Sequence, residues 1–205
     1  TIQNGSSSMG GGISTSSKAL FTDLIIKNNT SNYGGGIYAF GSDFNNCVIR
    51  DNIAPNNFGS YNAGGVYGGN LSFTDCQIIN NISNSAYSSP GHALYIWNGD
   101  VTLNNVLIDS NDIGTFNGSN SSAVFIVRYF NVGDPNASSN VVFNHVTVTN
   151  NQLNASNNTV AAIKIENYGN MDVKINNSNF YNNSGSALNT EHNANGNPVT
   201  LDFLI

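Results

Sequence analysis

The chain has almost no charge: of 205 residues only 6 are Lys or Arg and 12 are Asp or Glu. With a net charge of -6 and so few cations it carries no basic footprint, so neither nucleic acid nor an anionic membrane surface is expected as a partner. No apolar run approaches the roughly 20 residues that a spanning helix needs, and no membrane insertion is expected. The chain has no initiator Met and no charged-then-apolar leader before Thr1, which reads as a processed product or a segment of something longer. There is no zinc-ligand spacing, no Ser-His-Asp context and no phosphate loop, since the Gly triplets lead into strands. Two cysteines do not fix the redox compartment.

What the chain does have is amide. Asn fills 40 of the 205 positions, and Gly and Ser supply most of the remaining polar surface. Aliphatic and aromatic residues recur from end to end, so this is not the composition of a disordered chain. Its length suits one domain, residues 1–205, around one continuous core.

One segment repeats. FTDLIIKNN (21–29) aligns with FNNCVIRDN (44–52), FTDCQIINN (73–81), LNNVLIDSN (103–111), FNHVTVTNN (143–151) and INNSNFYNN (175–183). A large apolar residue leads, often with another two places before it, such as Leu71, Val101, Val141 and Val173; that is the period of a strand. Two small polar residues follow, then apolar residues two apart, so each copy reads as strand, tight bend, strand. Asn and Asp suit the bend because they tolerate left-handed backbone angles and hydrogen-bond locally.

Every copy closes on Asn, at Asn29, Asn52, Asn81, Asn111, Asn151 and Asn183, which predicts a stack of side-chain amides. After a gap of variable length comes another strand: GGGIYAF (34–40), AGGVYGG (63–69), GHALYIW (91–97), SAVFIV (122–127), AAIKIE (161–166) and SALNTE (186–191). Three short strands per repeat, no helix-period segment and variation confined to loops define an all-β parallel solenoid. Each coil should lie about 4.8 Å above the last.

These repeats resemble right-handed parallel β-helices of pectin-lyase-like type. The alternation of NN…GGGIY with F…I..N is similar to the Gly-Gly-Ala-Ile and Phe-x-x-Asn repeats of polymorphic outer-membrane and adhesin passenger proteins. The resemblance covers nearly the whole chain and implies right-handed winding; it implies little about activity.

The template also places the ends. VTLDFLI reads as the opening of a coil, with Val199 and Leu201 inward and Leu204 in the place of Leu24. At the other end Thr1 falls in the place of Ile26, Ile2 follows it, and Asn4 lands on the ladder, with Ile13 in the third strand. LDFLI·TIQN then overlays FTDLIIKNN without a gap, which makes seven coils, begun and ended in mid-coil at Thr1 and Ile205. The expectation is that the half-coil at 199–205 is completed by residues 1–13 of the next copy, head to tail, since open strand edges and an open core favour further strands. The rival expectation is one long β-helix of which this is a piece.

Candidate chemistry is sparse. The acids are scattered over bends and strand starts, without the convergent cluster a polysaccharide lyase or hydrolase needs. His145 stands in a bend place, His192 in an Asn-rich loop, and neither has ligand spacing. No catalytic, cofactor or metal residue is assigned. Cys47 and Cys76 share one inward place in consecutive coils; two packed thiols are expected and a disulfide is the alternative. Tyr38, Tyr67, Tyr95 and Phe125 take outward places in successive coils, flanked by Phe40 and Trp97. This aromatic face either stacks on sugar rings or a neighbouring fibre, or lies under a loop, 113–121 or 128–140.

The sequon Asn-x-Ser/Thr is frequent. Ladder positions Asn4, Asn29 and Asn81 should be unmodifiable, which leaves Asn28, Asn70, Asn117, Asn120, Asn136, Asn154, Asn157, Asn176 and Asn182 as candidates for N-linked glycans. The composite expectation is an extracellular or cell-surface structural subunit that stacks into a fibre or appendage. The alternative is an adhesin or autotransporter passenger that binds glycan or receptor through its aromatic face; a polysaccharide lyase or hydrolase ranks below both.

Overall fold

The computed structural model describes residues 1–55, 62–84, 91–112, 121–129, 138–152, 161–192 and 200–204. Among them the regular elements are all strands, paired in parallel, and the chain winds as a parallel β-solenoid of three sheets. Among the described residues no helix is long and apolar enough to cross a membrane.

A sheet of 12 strands is built from the repeated template. In the lower coils its two halves are separate, as in Leu20–Thr22 and Ile25–Lys27; higher up they fuse into Val101–Asp109 and Ser138–Thr149. The bend persists in both forms, because Asp23, Asn46, Asp75, Asn105, His145 and Asn177 all keep φ between 46 and 58°. Those angles crowd the Cβ of most residues, and short polar side chains relieve the cost by bonding locally.

A second sheet has 7 strands, from Ile13–Thr15 through Ile37–Phe40 to Ser186–His192. A third has 4 short strands directly after the ladder position: Ser6–Met9, Thr30–Tyr33, Ile53–Ala54 and Ile82–Ser83. The sequence reading treats these residues as part of a variable gap. They are too short and too polar to show an alternation.

Inside, each template place becomes a column of like side chains. Phe21, Phe44 and Phe73 stack with ring centroids 5.0 Å apart, and Ile26, Ile49, Ile78, Ile108 and Val148 line the next column with no exposure above 0% wherever they are buried in the core. Stacking one coil on another thus buries a continuous apolar interior that no single coil could make. Gly36 shows why small residues lead the strands of the 7-stranded sheet: a Cβ there would sit 2.9 Å from Nδ2 of Asn52.

At the ends the register differs from expectation. Ile2, not Thr1, pairs with Ile26, and Gln3 pairs with Lys27, so Asn4 matches Asn28 and Gly5 takes the ladder place. Asn4 is exposed, with φ of 61°, which makes it a bend residue. In the last strand Leu201 pairs with Val173, Phe203 with Ile175 and Leu204 with Asn176. Phe203 therefore holds the lead place, and Leu204 corresponds to Thr22 rather than Leu24.

Period-two alternation cannot distinguish Leu201 from Phe203 as the lead residue; backbone pairing does. Joined as one string, the two ends skip the place of Leu24, so the gapless overlay fails by one residue. Val199 and Ile205 lie outside the described residues. Ile13 takes its expected inward place, paired with Ile37 and 8% exposed.

Candidate functional site

The amide ladder runs through Asn29, Asn52, Asn81, Asn111, Asn151 and Asn183. Each of these residues follows one in left-handed conformation, from Asn28 at 54° to Asn182 at 53°, and that kink turns the Asn side chain inward. Each Oδ1 from Asn52 onward accepts two bonds from the ladder residue one coil before, one from its backbone N–H and one from its Nδ2, at 2.8–3.1 Å. The same Nδ2 groups also donate to a carbonyl of the preceding coil, such as Ile49 O for Asn81 and Ile78 O for Asn111. Each buried ladder amide is thus satisfied by its neighbours above and below, which is what permits it in an apolar interior.

The ladder starts one residue away from where sequence alignment puts it. Gly5 has no side chain, and only its N–H reaches Oδ1 of Asn29, at 2.9 Å. Asn4 therefore takes no part.

The outward aromatic row is covered. Tyr38, Tyr67, Tyr95 and Phe125 stack ring on ring at 5.5, 5.0 and 5.1 Å. Tyr67 is 3% exposed, and Tyr95 and Phe125 are 1% exposed, so these three present no face to sugar or fibre; Tyr38, at the lower end of the row, is half-buried. Tyr33 lies edge-on to Tyr67, and Phe40 edge-on to Tyr38. The two loops expected to act as covers fall largely outside the described residues, over 113–120 and 130–137.

Above Phe125 the column continues into Lys164, a feature that aligning the strands in register would have revealed. Lys164 is 1% exposed, its Nζ 5.9 Å from the Phe125 centroid, 2.9 Å from Oε1 of Glu166 and 3.3 Å from Oε1 of Glu191. A buried ammonium is tolerable there because two carboxylates and a ring face surround it.

Trp97 differs from its neighbours. It is 45% exposed and opens on a groove of about 500 Å³, lined also by Phe40, Asn70, Asn98, Asp100 and Arg128. Of the six aromatic-face residues, Trp97 alone keeps a large exposed ring.

The remaining titratable groups do not converge. Asp23 accepts from Asn46, Asp75 from Asn105 and Asp109 from Asn150, each one coil away on the outer surface. Among the described residues no three His, Cys, Asp or Glu side chains are grouped to hold a metal. His145 is a bend residue, and His192 ends the strand Ser186–His192 opposite Asn167. His92 is fully buried, bonds Ser121 Oγ through Nε2 at 2.6 Å, and has no partner for Nδ1 among the described residues; burial pushes its pKa down to about 3. Among the described residues no acid orients this buried Ser-His pair.

Cys47 and Cys76 are free and buried. Their sulfurs occupy equivalent settings: the single S–H of Cys47 lies between Phe21 O and Asn45 O, and that of Cys76 between Phe44 O and Thr74 O, all at 3.2–3.5 Å from Sγ. Equivalent settings one coil apart place the two sulfurs about one coil rise, ~4.8 Å, from each other. Cys76 Sγ also accepts the Cys47 N–H at 3.4 Å, the task that Ser178 Oγ performs for Val146 N–H at 3.1 Å. The neighbouring Cys76 side chain holds the Cys47 thiol down to about 7, while the same contact, then burial, pushes Cys76 up.

Of the sequon candidates, Asn28, Asn70 and Asn182 are exposed and Asn176 is half-buried. Asn117, Asn120, Asn136, Asn154 and Asn157 lie outside the described residues. No protein-family model matches the chain, and neither curated proteins nor solved structures yield a match.

Proposed function

We propose that this chain is an extracellular structural module, a segment of rod within a surface fibre or appendage. The observation that carries the reading is the uninterrupted ladder from Asn29 to Asn183. A scaffold whose coils are joined by one repeated bond set gains stiffness along its axis, and it grows by adding coils. Burial of the aromatic row and the dispersal of the acids both favour a load-bearing role over a catalytic one. The right-handed winding and the kinship with adhesin passengers belong to this reading. So do N-linked glycans on exposed sequons, which would sheathe a rod that has few charges to keep it soluble.

Growth by a second copy would pair Leu20–Thr22 with Thr200–Leu204 and Ile2–Gln3 with Asn179–Tyr181. Gly5 would then meet Asn183, and the joint would rest on backbone pairing and apolar contact, without a ladder rung. Sedimentation velocity and negative-stain electron microscopy of the purified chain test this directly. Thin rods that lengthen with concentration are expected; a monodisperse monomer at about 100 µM, well above the ~1 µM dissociation constant of a modest interface, refutes self-assembly. Intact mass before and after enzymatic deglycosylation tests the sheath, and an unchanged mass removes it.

A further inference from the structure

We propose that the groove at Trp97 is a subsite for a neutral pyranose ring, carried either by an N-glycan on Asn70 or by a separate saccharide. A single exposed ring needs no explanation in itself. Here the ring belongs to a built slot. Gly69 pairs with Phe40, and the register that pairs Gly68 with Ile96 carries on to set Trp97 beside Gly69, so the three share one column in successive coils. With no side chain at Gly69, two coil rises, about 9.6 Å, separate the Phe40 and Trp97 positions. The backbone requires Gly in the middle, since a Cβ there would come within 2.5 Å of Asn98 O.

The rim matches the other face of a sugar. Asp100 Oδ1 is held by the Asn140 N–H at 2.8 Å, which fixes the carboxylate at the groove with its second oxygen unbonded among the described residues. Asn70 Oδ1 is held by the Asp100 N–H at 2.9 Å, and its Nδ2 donates to none of the described residues. A pyranose offers an apolar C–H face to an indole and a ring of hydroxyls to carboxylate and amide. The volume of about 500 Å³ lies within the range of small-ligand clefts. Asp100 and Arg128 both line the groove, so its formal charges balance, which suits a neutral sugar better than a uronate.

The two sources share this chemistry, because Asn70-Leu71-Ser72 is a sequon and Asn70 lines the same groove. The inference is independent of the rod reading: a monomeric chain could hold the subsite, and a fibre could lack it.

Trp97 is the chain's single tryptophan, so all indole emission reports on the groove. Unglycosylated chain from a bacterial host is titrated with methyl β-N-acetylglucosaminide and methyl β-glucoside, and emission and acrylamide quenching are followed. The expected result is a saturable blue shift with reduced quenching, weakened at least about threefold in Asp100→Asn, a loss in keeping with one hydrogen bond. Asn at 100 keeps the bond to the Asn140 N–H, so the fold is retained. In the second arm, glycopeptides of the native material are mapped at Asn70 and quenching is measured before and after deglycosylation. A response to free sugar with Asn70 unmodified assigns the separate saccharide; a glycan on Asn70 whose removal exposes Trp97 assigns the N-glycan. The proposal is overturned if free sugar gives no response and Asn70 is bare or its glycan leaves quenching unchanged. A sugar response unaltered in Asp100→Asn overturns it as well.

Discussion

Replacing Asn111 by Ala removes an interior rung of the ladder. Its Oδ1 accepts from the Asn81 N–H and from Asn81 Nδ2, each at 3.0 Å; its Nδ2 donates to Asn151 Oδ1 at 3.0 Å and Ile78 O at 2.9 Å. After truncation Asn81 Nδ2 retains Ile49 O, and Asn151 Oδ1 retains the Asn111 N–H. The Asn81 N–H is left with no acceptor. One orphaned buried donor costs about 1–3 kcal/mol, and each weakened bond roughly 1 kcal/mol, so a total near 3–6 kcal/mol is expected. For a chain of this length that lowers the unfolding midpoint by roughly 10 °C or more.

The control is one residue from the ladder. Asn80 has φ of 53° and lies on the surface with its side chain bonded to Asp51, so Asn80→Gly keeps the backbone angle. Its effect should stay within about 0.5 kcal/mol. Thermal and urea unfolding followed by circular dichroism compare the two. Hydrogen exchange then shows whether opening in Asn111→Ala is centred on the coils of Asn81 and Asn151, as nearest-neighbour coupling requires. If Asn111→Ala is no more destabilising than Asn80→Gly, the ladder is decoration and the reasoning fails.

Three other outcomes follow from the same structure. Because folded His92 has a pKa of about 3, below its ordinary value, its contribution is complete above about pH 6.5 and declines as pH falls toward 3, at up to about 1.4 kcal/mol per pH unit; His92→Gln should flatten that acid slope, and identical slopes would refute its assignment to His92. Lys164→Met leaves Glu166 largely buried without its cation and should cost about 3 kcal/mol in urea unfolding, with recovery in the Lys164→Met/Glu166→Gln pair; no recovery would mean that packing, not charge, was lost. Cys47 and Cys76 should resist a thiol reagent and diamide until denaturant is added, and a disulfide formed in the folded chain would show that their sulfurs approach closer than one coil rise.

Much of the fold was legible because the repeat is physical. Phe44 and Phe73, or Ile49 and Ile78, recur at matching places since each must face its like in the next coil. Asn52 and Asn81 recur because a buried amide needs another amide. Bends at Asp75 and Asn105 announce themselves through residues that tolerate left-handed angles. The short strand Thr30–Tyr33 gave no such signal, because four mostly polar residues carry no period.

What the sequence determined by itself was therefore the coil: which side chains turn inward, where the chain bends, and, away from the first coil, which Asn forms the ladder. Register at the ends and the fate of the outer face were decided only in three dimensions. Alternation leaves Leu201 and Phe203 equivalent, and Asn4 as good a ladder residue as Gly5, until backbone hydrogen bonds choose between them. Likewise Tyr95 and Trp97 are both outward aromatics on one strand, two residues apart. One is sealed among stacked rings and the other stands open over an empty glycine place, because exposure depends on neighbours in adjacent coils that a linear pattern does not reveal.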